Sequence, residues 1–131
     1  MVVSDAAVNA SAWQRINLAW GQRLPVILQT EAAECGLACL AMVCGFHGHH
    51  VDLAQLRQRF GMGLRGASLK SLLNIAAQLN LTARPVKLDL EHLPQLKLPC
   101  LLHWDMNHFV VLKQVGHGHV VIHDPAIGLR K

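Results

Sequence analysis

Apolar and polar positions in the N-terminal part of the chain recur with a helical period. From Glu34 to Val43 the side chains are small or apolar on every side, which is typical of a buried helix, and Gly45 is suited to end it. Two amphipathic helices are predicted to follow, one between Asp52 and Gly61 and one between Ser68 and Asn80, because each segment opens on a capping residue. The core stripe of the last helix is Leu69, Leu72, Leu73, Ala76 and Leu79.

After Asn80 the pattern changes to that of β-strands. Leu81–Leu88 contains Pro85, which suits the edge of a sheet, and Leu90–Leu96 is expected to form an irregular link or a single turn. The remaining β-rich segments are Leu98–Trp104, His108–Val115 and His119–His123. A helical half followed by an antiparallel half predicts an α+β fold.

Composition favours one domain with one core. The chain has 131 residues, of which 52% are hydrophobic and only 15% are charged, and no polar or Pro/Gly-rich linker interrupts it. Before Pro25, the spacing of Trp13, Ile16 and Trp20 predicts a short amphipathic helix over Ser11–Arg23. We therefore expect residues 1–23 to form an N-terminal extension and residues 24–131 to form the domain.

Several classes of function are disfavoured. No apolar run approaches the roughly 20 residues of a membrane-spanning helix, and the N-terminus has no secretory signal pattern, so a cytosolic location is expected. The 12 basic and 8 acidic residues form no basic block, which argues against nucleic-acid binding. The four cysteines, three of them on one predicted helix, are expected to be free thiols.

Cys35 stands where a reactive cysteine would be favoured. It lies at the N-terminus of the buried helix, where the helix dipole and free N–H groups stabilise a thiolate and a developing oxyanion. Cys39 and Cys44 lie deeper in the same helix and are expected to be inert packing residues. Gln29, six residues before Cys35, could aim its side-chain amide at the same oxyanion, although this spacing taken alone favours a solvated glutamine.

His108 and Asp124 are predicted to form a pair. His108 opens one strand and Asp124 closes the next, so both lie at the open end of a hairpin. A three-residue loop, Gly116–Gly118 with Gly118 in the left-handed conformation, would pair Val110 with Asp124. His108 would then lie diagonally beside Asp124 on the same face, whereas a two-residue loop would separate the two residues.

Other histidines offer weaker candidates. His47, His49 and His50 are dense enough to suggest a metal site, but no Cys-x-x-Cys pair or second carboxylate completes it, so we expect a solvated loop and no metal. His103 and His123 are interpreted as structural residues, because neither is predicted to face a carboxylate.

Three motifs occur in order: Gln29–Met42, His103–Val111 and His123–Ala126. Together with Arg65–Leu69, they resemble the double-glycine peptidase domain of bacteriocin-processing ABC exporters of the colicin V secretion type, from about Pro25 to the end of the chain. The resemblance implies a papain-like cysteine peptidase fold. It also implies that the sequence is truncated before the rest of the domain, the membrane helices and the ATPase.

The resemblance implies cleavage of a secreted peptide's leader after a Gly-Gly pair, at the cytoplasmic face of the bacterial inner membrane. Cys35 would be the nucleophile, His108 the base and Asp124 its orienting partner, with Gln29 and the Cys35 N–H in the oxyanion hole. The implied partners are the leader peptide and the exporter's transmembrane and ATPase domains. No cofactor is implied for the peptidase; ATP would be used only by the full exporter.

Two other functions remain open at this point. One is a catalytically silent domain that binds cargo for an exporter, which the presence of Cys35 and His108 disfavours. The other is a different cysteine acyl-transfer enzyme, such as an amidase, that uses the same triad.

Overall fold

A computed structural model describes residues 2–8, 23–61, 68–104 and 108–131. The helices come before most of the sheet, which confirms the predicted α+β class. They are a 3₁₀-helix at Ala32–Glu34, α1 at Cys35–Phe46, α2 at Leu53–Phe60, α3 at Leu69–Gln78 and a second 3₁₀-helix at Leu90–Gln95.

The strands of the described residues form one antiparallel sheet in the order β2-β1-β3-β4-β5-β6. They are β1 at Val2–Val8, β2 at Leu81–Lys87, β3 at Cys100–Trp104, β4 at His108–Val115, β5 at Val120–Asp124 and β6 at Gly128–Arg130. Strand β2 lies at the edge, as Pro85 predicts.

The predicted capping residues begin the two amphipathic helices. The Asp52 carboxylate accepts the Ala54 N–H, and the Ser68 hydroxyl accepts the Ser71 N–H. Gly61 ends α2 with φ 53°, in the left-handed region that a glycine adopts without strain. Helix α1 starts one residue later than predicted and continues through Gly45 to Phe46.

Helix α1 packs on the centre of the sheet. Leu101, Phe109 and Val111 belong to the same buried cluster as the helix, whereas Leu102 and Val110 belong to a second cluster around Leu93. This alternation follows from the two-residue period of a strand, which sends neighbouring side chains to opposite faces. Because side chains cover both faces of the sheet, strand β4, which carries His108, is held in the interior.

The N-terminal residues include an element that the sequence pattern did not predict. Strand β1 lies between β2 and β3 and pairs with both. Residues 9–22, on which most of the predicted helix falls, lie outside the described residues, and Arg23 itself is not helical. The division between an extension and a domain at residue 23 stays a prediction.

The predicted three-residue loop between β4 and β5 is wrong. Val115 pairs with Val120, so the loop has four residues, Gly116–His119, closed by a 2.9 Å hydrogen bond from the Gly116 N–H to the His119 carbonyl. Gly118 has φ 72°, as predicted for the left-handed position. In a regular ladder, a four-residue loop would put His108 and Asp124 on opposite faces.

A β-bulge restores the predicted pairing. The register shifts by one residue between Leu112 and Gln114, so that Leu112 faces Ile122 and Val111 faces His123. Lys113 and Gln114 are consecutive exposed residues at this point, which is the mark of an extra residue in one strand. Beyond the bulge the register is therefore the one that the three-residue loop would have produced.

Candidate active site

Cys35 is the first residue of α1 and is only 7% exposed. The 3₁₀-helix Ala32–Glu34 leads directly into it. At this position the first N–H groups of α1 have no partner within the helix and can stabilise negative charge. Cys35 also belongs to the buried cluster that contains Phe109, the neighbour of His108 in β4.

Cys39 and Cys44 are buried deeper in α1, as predicted. Burial raises the pKa of the Cys39 thiol well above its usual value, and the charges of Cys35 and Asp124 raise it further. Burial alone raises the pKa of Cys44 to about 11. Both thiols are thus held protonated.

His108 and Asp124 are in direct contact. His108 Nε2 lies 2.7 Å from Asp124 Oδ1, which also accepts the Ala126 N–H at 2.9 Å. Arg130 Nη1 approaches the other oxygen, Oδ2, at 3.5 Å. Burial tends to raise the pKa of Asp124, but the Ala126, His108 and Arg130 interactions outweigh it and leave the pKa lowered.

The segment before α1 lies along the turn that follows β5. Gln29 donates its backbone N–H to the Pro125 carbonyl at 2.8 Å, and His123 Nδ1 donates to the Pro25 carbonyl at 2.9 Å. The Gln29 side-chain amide donates to the Glu31 carbonyl at 3.1 Å. The structure therefore places the Gln29 backbone beside the turn that carries Asp124.

Several polar contacts of this region were not predicted. The Ala126 N–H and the Arg130 side chain hold Asp124, and the buried Glu34, directly before Cys35, forms an ion pair with the partly exposed Arg57 of α2. Arg130 belongs to none of the sequence motifs described above, so no pattern predicted its contact with Asp124. The spacing of Glu31 and Glu34 resembles a capping box, which was the available sequence signal for Glu34.

Among the described residues, no group of three or more histidines, cysteines and carboxylates is close enough to hold a metal ion. His47, His49 and His50 follow the end of α1, and the Phe46 ring contacts that of His47 edge to face. His103 stacks on Phe109, with 4.3 Å between the ring centroids. In the same part of the chain, no helix is long and apolar enough to cross a membrane.

These features together define a class of protein. A cysteine at the start of a buried helix that packs on an antiparallel sheet, together with a hydrogen-bonded histidine–aspartate pair on that sheet, is the arrangement of papain-like cysteine peptidases. The chain belongs to the Peptidase C39 family, whose model matches residues 23–131. The predicted papain-like fold and the family resemblance are confirmed.

Similar proteins point to the same class. The chain is 52% identical to the colicin V secretion/processing ATP-binding protein of Escherichia coli, over 88% of this chain and 16% of that protein. It is 51% identical to a probable microcin-H47 secretion/processing ATP-binding protein of Escherichia coli, over 93% and 18%. It thus spans less than a fifth of either relative.

A solved structure is also similar. It is a double-glycine-motif protease from a peptidase-containing transporter, in complex with the leader peptide. The TM-score is 0.77 and the sequence identity is 39%, with 84% of this chain and 79% of that chain covered.

His123 predicts an acid-sensitive stability. Its ring is 1% exposed, its Nε2 has no hydrogen-bond partner among the described residues, and burial lowers its pKa from 6.5. Well above pH 6.5 the ring is neutral in both folded and unfolded chains, so its contribution to the free energy of unfolding is fully present. Below pH 6.5 the unfolded chain takes up a proton that the folded chain resists, so the free energy of unfolding falls.

His123→Asn tests this dependence, because asparagine keeps an N–H for Pro25 and does not titrate. Between pH 7.5 and 5.5 the unfolding free energy of the wild type should fall more steeply than that of the variant, by up to about 1.4 kcal/mol per pH unit, in urea titrations. The exposed His92→Asn variant is the control and should keep the wild-type slope. Equal slopes for the wild type and His123→Asn would contradict the prediction.

Proposed function

We propose that this domain cleaves the leader from a secreted peptide after a Gly-Gly pair, with Cys35 as nucleophile, His108 as base and Asp124 as its orienting residue. The observation that carries this assignment is the 2.7 Å contact between His108 and Asp124, in a cysteine peptidase whose α1 begins at Cys35. The leader as substrate is suggested by the similar protease, which is described in complex with a leader peptide.

The contact with Asp124 supports different tasks for the two nitrogens of His108. Asp124 engages Nε2, so Nδ1 is the nitrogen that accepts the proton of the Cys35 thiol. The carboxylate keeps the proton on Nε2 of the neutral ring and stabilises the imidazolium that forms. Because Ala126 and Arg130 also hold Asp124, the orientation of the imidazole is set before substrate arrives.

The thiolate attacks the carbonyl carbon of the second glycine, forming the carbon–sulfur bond of a tetrahedral intermediate. The Cys35 N–H and the Gln29 amide stabilise its oxyanion. The imidazolium then gives its proton to the departing nitrogen, which breaks the peptide bond and leaves the leader as a thioester on Cys35. Water deprotonated by His108 hydrolyses this thioester and releases the leader carboxylate and the thiol.

The relatives support a proposal for the partners of the domain. Both Escherichia coli relatives are named secretion/processing ATP-binding proteins and are far longer than this chain. We infer that the domain works at the cytoplasmic face of the inner membrane, next to the transmembrane and ATPase parts of an exporter. ATP would be consumed by those parts, and cleavage itself would need no cofactor.

Replacement of Cys35 is the direct test of the nucleophile. Cys35→Ala should abolish cleavage of a Gly-Gly leader peptide, by at least about 1000-fold in kcat, while leaving the thermal unfolding temperature nearly unchanged. Cys39→Ala, in the same helix, is the matched control and should keep its turnover. Cleavage by Cys35→Ala would contradict the assignment, and binding of the leader without cleavage by the wild type would instead favour a cargo-binding domain.

The two residues of the pair should differ in their effects. Asp124→Asn retains a hydrogen-bond acceptor for His108 but lends no charge to the imidazolium, so kcat should fall less than in His108→Ala, which removes the base. Steady-state kinetics with one leader peptide measure kcat for both variants. A larger loss in Asp124→Asn than in His108→Ala would contradict these roles.

Binding and turnover should depend on different parts of the leader. Glycine has no side chain to grip, so a narrow channel can only exclude larger residues, and affinity must come from an apolar face of the leader further upstream. Polar replacements on that face should raise KM strongly, whereas valine in place of either glycine should lower kcat with little effect on binding. Efficient cleavage of a short peptide that carries only the Gly-Gly pair would contradict this division.

A further inference from the structure

Glu34 is a buried carboxylate that the proposed chemistry does not use. It directly precedes Cys35, and it is only 1% exposed. A buried charge is costly unless every oxygen has a partner, so its presence at this position needs a physical reason. The hydrogen bond from Arg57 lowers the pKa of Glu34 to about 2 against the effect of burial, with further help from Thr30 and Glu31, and the group stays ionised at neutral pH.

The carboxylate accepts hydrogen bonds from the start of the short loop Thr30–Glu34 and from α2. Oε2 accepts the Thr30 N–H at 3.1 Å, the Thr30 hydroxyl at 2.8 Å and the Glu31 N–H at 3.2 Å. Oε1 accepts the Arg57 Nε–H, and Arg57 Nη2 donates to the Thr30 hydroxyl oxygen at 2.6 Å. The guanidinium fork thus binds the carboxylate and the hydroxyl together.

This loop connects the two groups proposed to bind the oxyanion. It begins after Gln29 and ends at Cys35. The Glu34 carboxylate accepts the Glu31 N–H at 3.2 Å, and the Glu31 carbonyl accepts both the Glu34 N–H and the Gln29 side-chain amide, each at 3.1 Å. Hydrogen bonds therefore link Arg57 in α2 to Glu34, and Glu34 through the backbone of Glu31 to the Gln29 amide.

We propose that Glu34 and Arg57 are positioning residues that hold the Gln29 amide at its working distance from the Cys35 N–H. This inference rests on the oxyanion-hole role proposed for Gln29. An ion pair that takes a carboxylate out of water contributes little net stability compared with apolar packing, whereas its fixed geometry suits a site in which a displacement of about 1 Å is costly in rate. Arg57 is 39% exposed and reaches the loop from another helix, so it couples α2 to the nucleophile segment.

Glu34→Gln tests this role because it keeps the shape and replaces one acceptor oxygen by an NH₂ donor. The new donor faces groups that are themselves donors, so the loop loses part of its hydrogen bonding. We expect kcat for a Gly-Gly leader to fall about 10- to 100-fold, with KM changed less than about threefold, because leader binding does not use the oxyanion hole. Alkylation of Cys35 by iodoacetamide, with Cys39, Cys44 and Cys100 left unmodified, verifies that the variant is folded, because an unfolded chain would react at all four thiols.

A second, more conservative variant keeps the test decisive if Glu34→Gln does not fold. In Arg57→Lys a single ammonium replaces the fork, so it cannot bind Glu34 and Thr30 in the same way, and kcat should fall about three- to tenfold. Arg59→Lys is the matched control in the same helix. Arg59 lies over the Phe60 ring, and among the described residues it makes no hydrogen bond or ion pair with Glu34. Its kcat should equal that of the wild type.

A double-mutant cycle separates positioning of Gln29 from a general effect on the fold. If the pair acts through Gln29, Glu34→Gln and Arg57→Lys should each cost less than about twofold in kcat when introduced into Gln29→Ala. Equal losses in both backgrounds, or wild-type kcat in both single variants, would overturn the inference while leaving the oxyanion role of Gln29 in place. Wild-type kcat in Gln29→Ala alone would overturn that proposed role and the inference together.

Discussion

The hydrogen bond between His108 and Asp124 depends on the register of two strands. A shift of one residue between β4 and β5 would turn one of the two side chains to the other face of the sheet. The four-residue loop alone would impose that shift, and the bulge between Leu112 and Gln114 cancels it. The candidate catalytic pair is therefore a product of two irregularities that compensate each other.

The rest of the site is attached to the end of this hairpin. The turn after β5 accepts the Gln29 N–H through Pro125, and His123 holds Pro25 from the other side. The chain then passes directly through the loop stabilised by Glu34 into Cys35 and α1. A single continuous segment thus carries the candidate oxyanion donor and nucleophile. One backbone hydrogen bond, to Pro125, and one side-chain hydrogen bond, from His123, align this segment with the histidine–aspartate pair.

Much of this arrangement could be predicted from local sequence signals. Asp52 and Ser68 identify the starts of two helices because a capping side chain acts within its own turn, and Pro85 identifies an edge strand because it lacks an N–H. The pairing of His108 with Asp124 was predicted from the two-residue period of strands together with a three-residue loop, whereas it is formed with a four-residue loop and a bulge. The site roles of Gln29, Cys35, His108 and Asp124 stay predictions, although the predicted contact between His108 and Asp124 is present.

The features that were not predicted depend on contacts between segments that are distant in the sequence. The only local signal of the bulge is the pair of consecutive polar residues Lys113 and Gln114, and this pair does not fix the register, because His119 suits either a strand or a loop. The partner of Glu34 is 23 residues away, and only the packing of α2 beside the loop brings Arg57 to it. The pairing of β1 with β2 and β3 likewise joins segments that are far apart in the chain.

The central claim is that Cys35 forms the covalent bond to the leader. Rapid acid quenching of a single turnover, followed by digestion and mass spectrometry, measures it most directly, since a thioester survives at low pH. The account predicts a transient adduct on the peptide that contains Cys35, with the mass of the leader minus one water, its terminal glycine bound to sulfur. An adduct on Cys39, Cys44 or Cys100, or cleavage that proceeds with no adduct at any time, would contradict it.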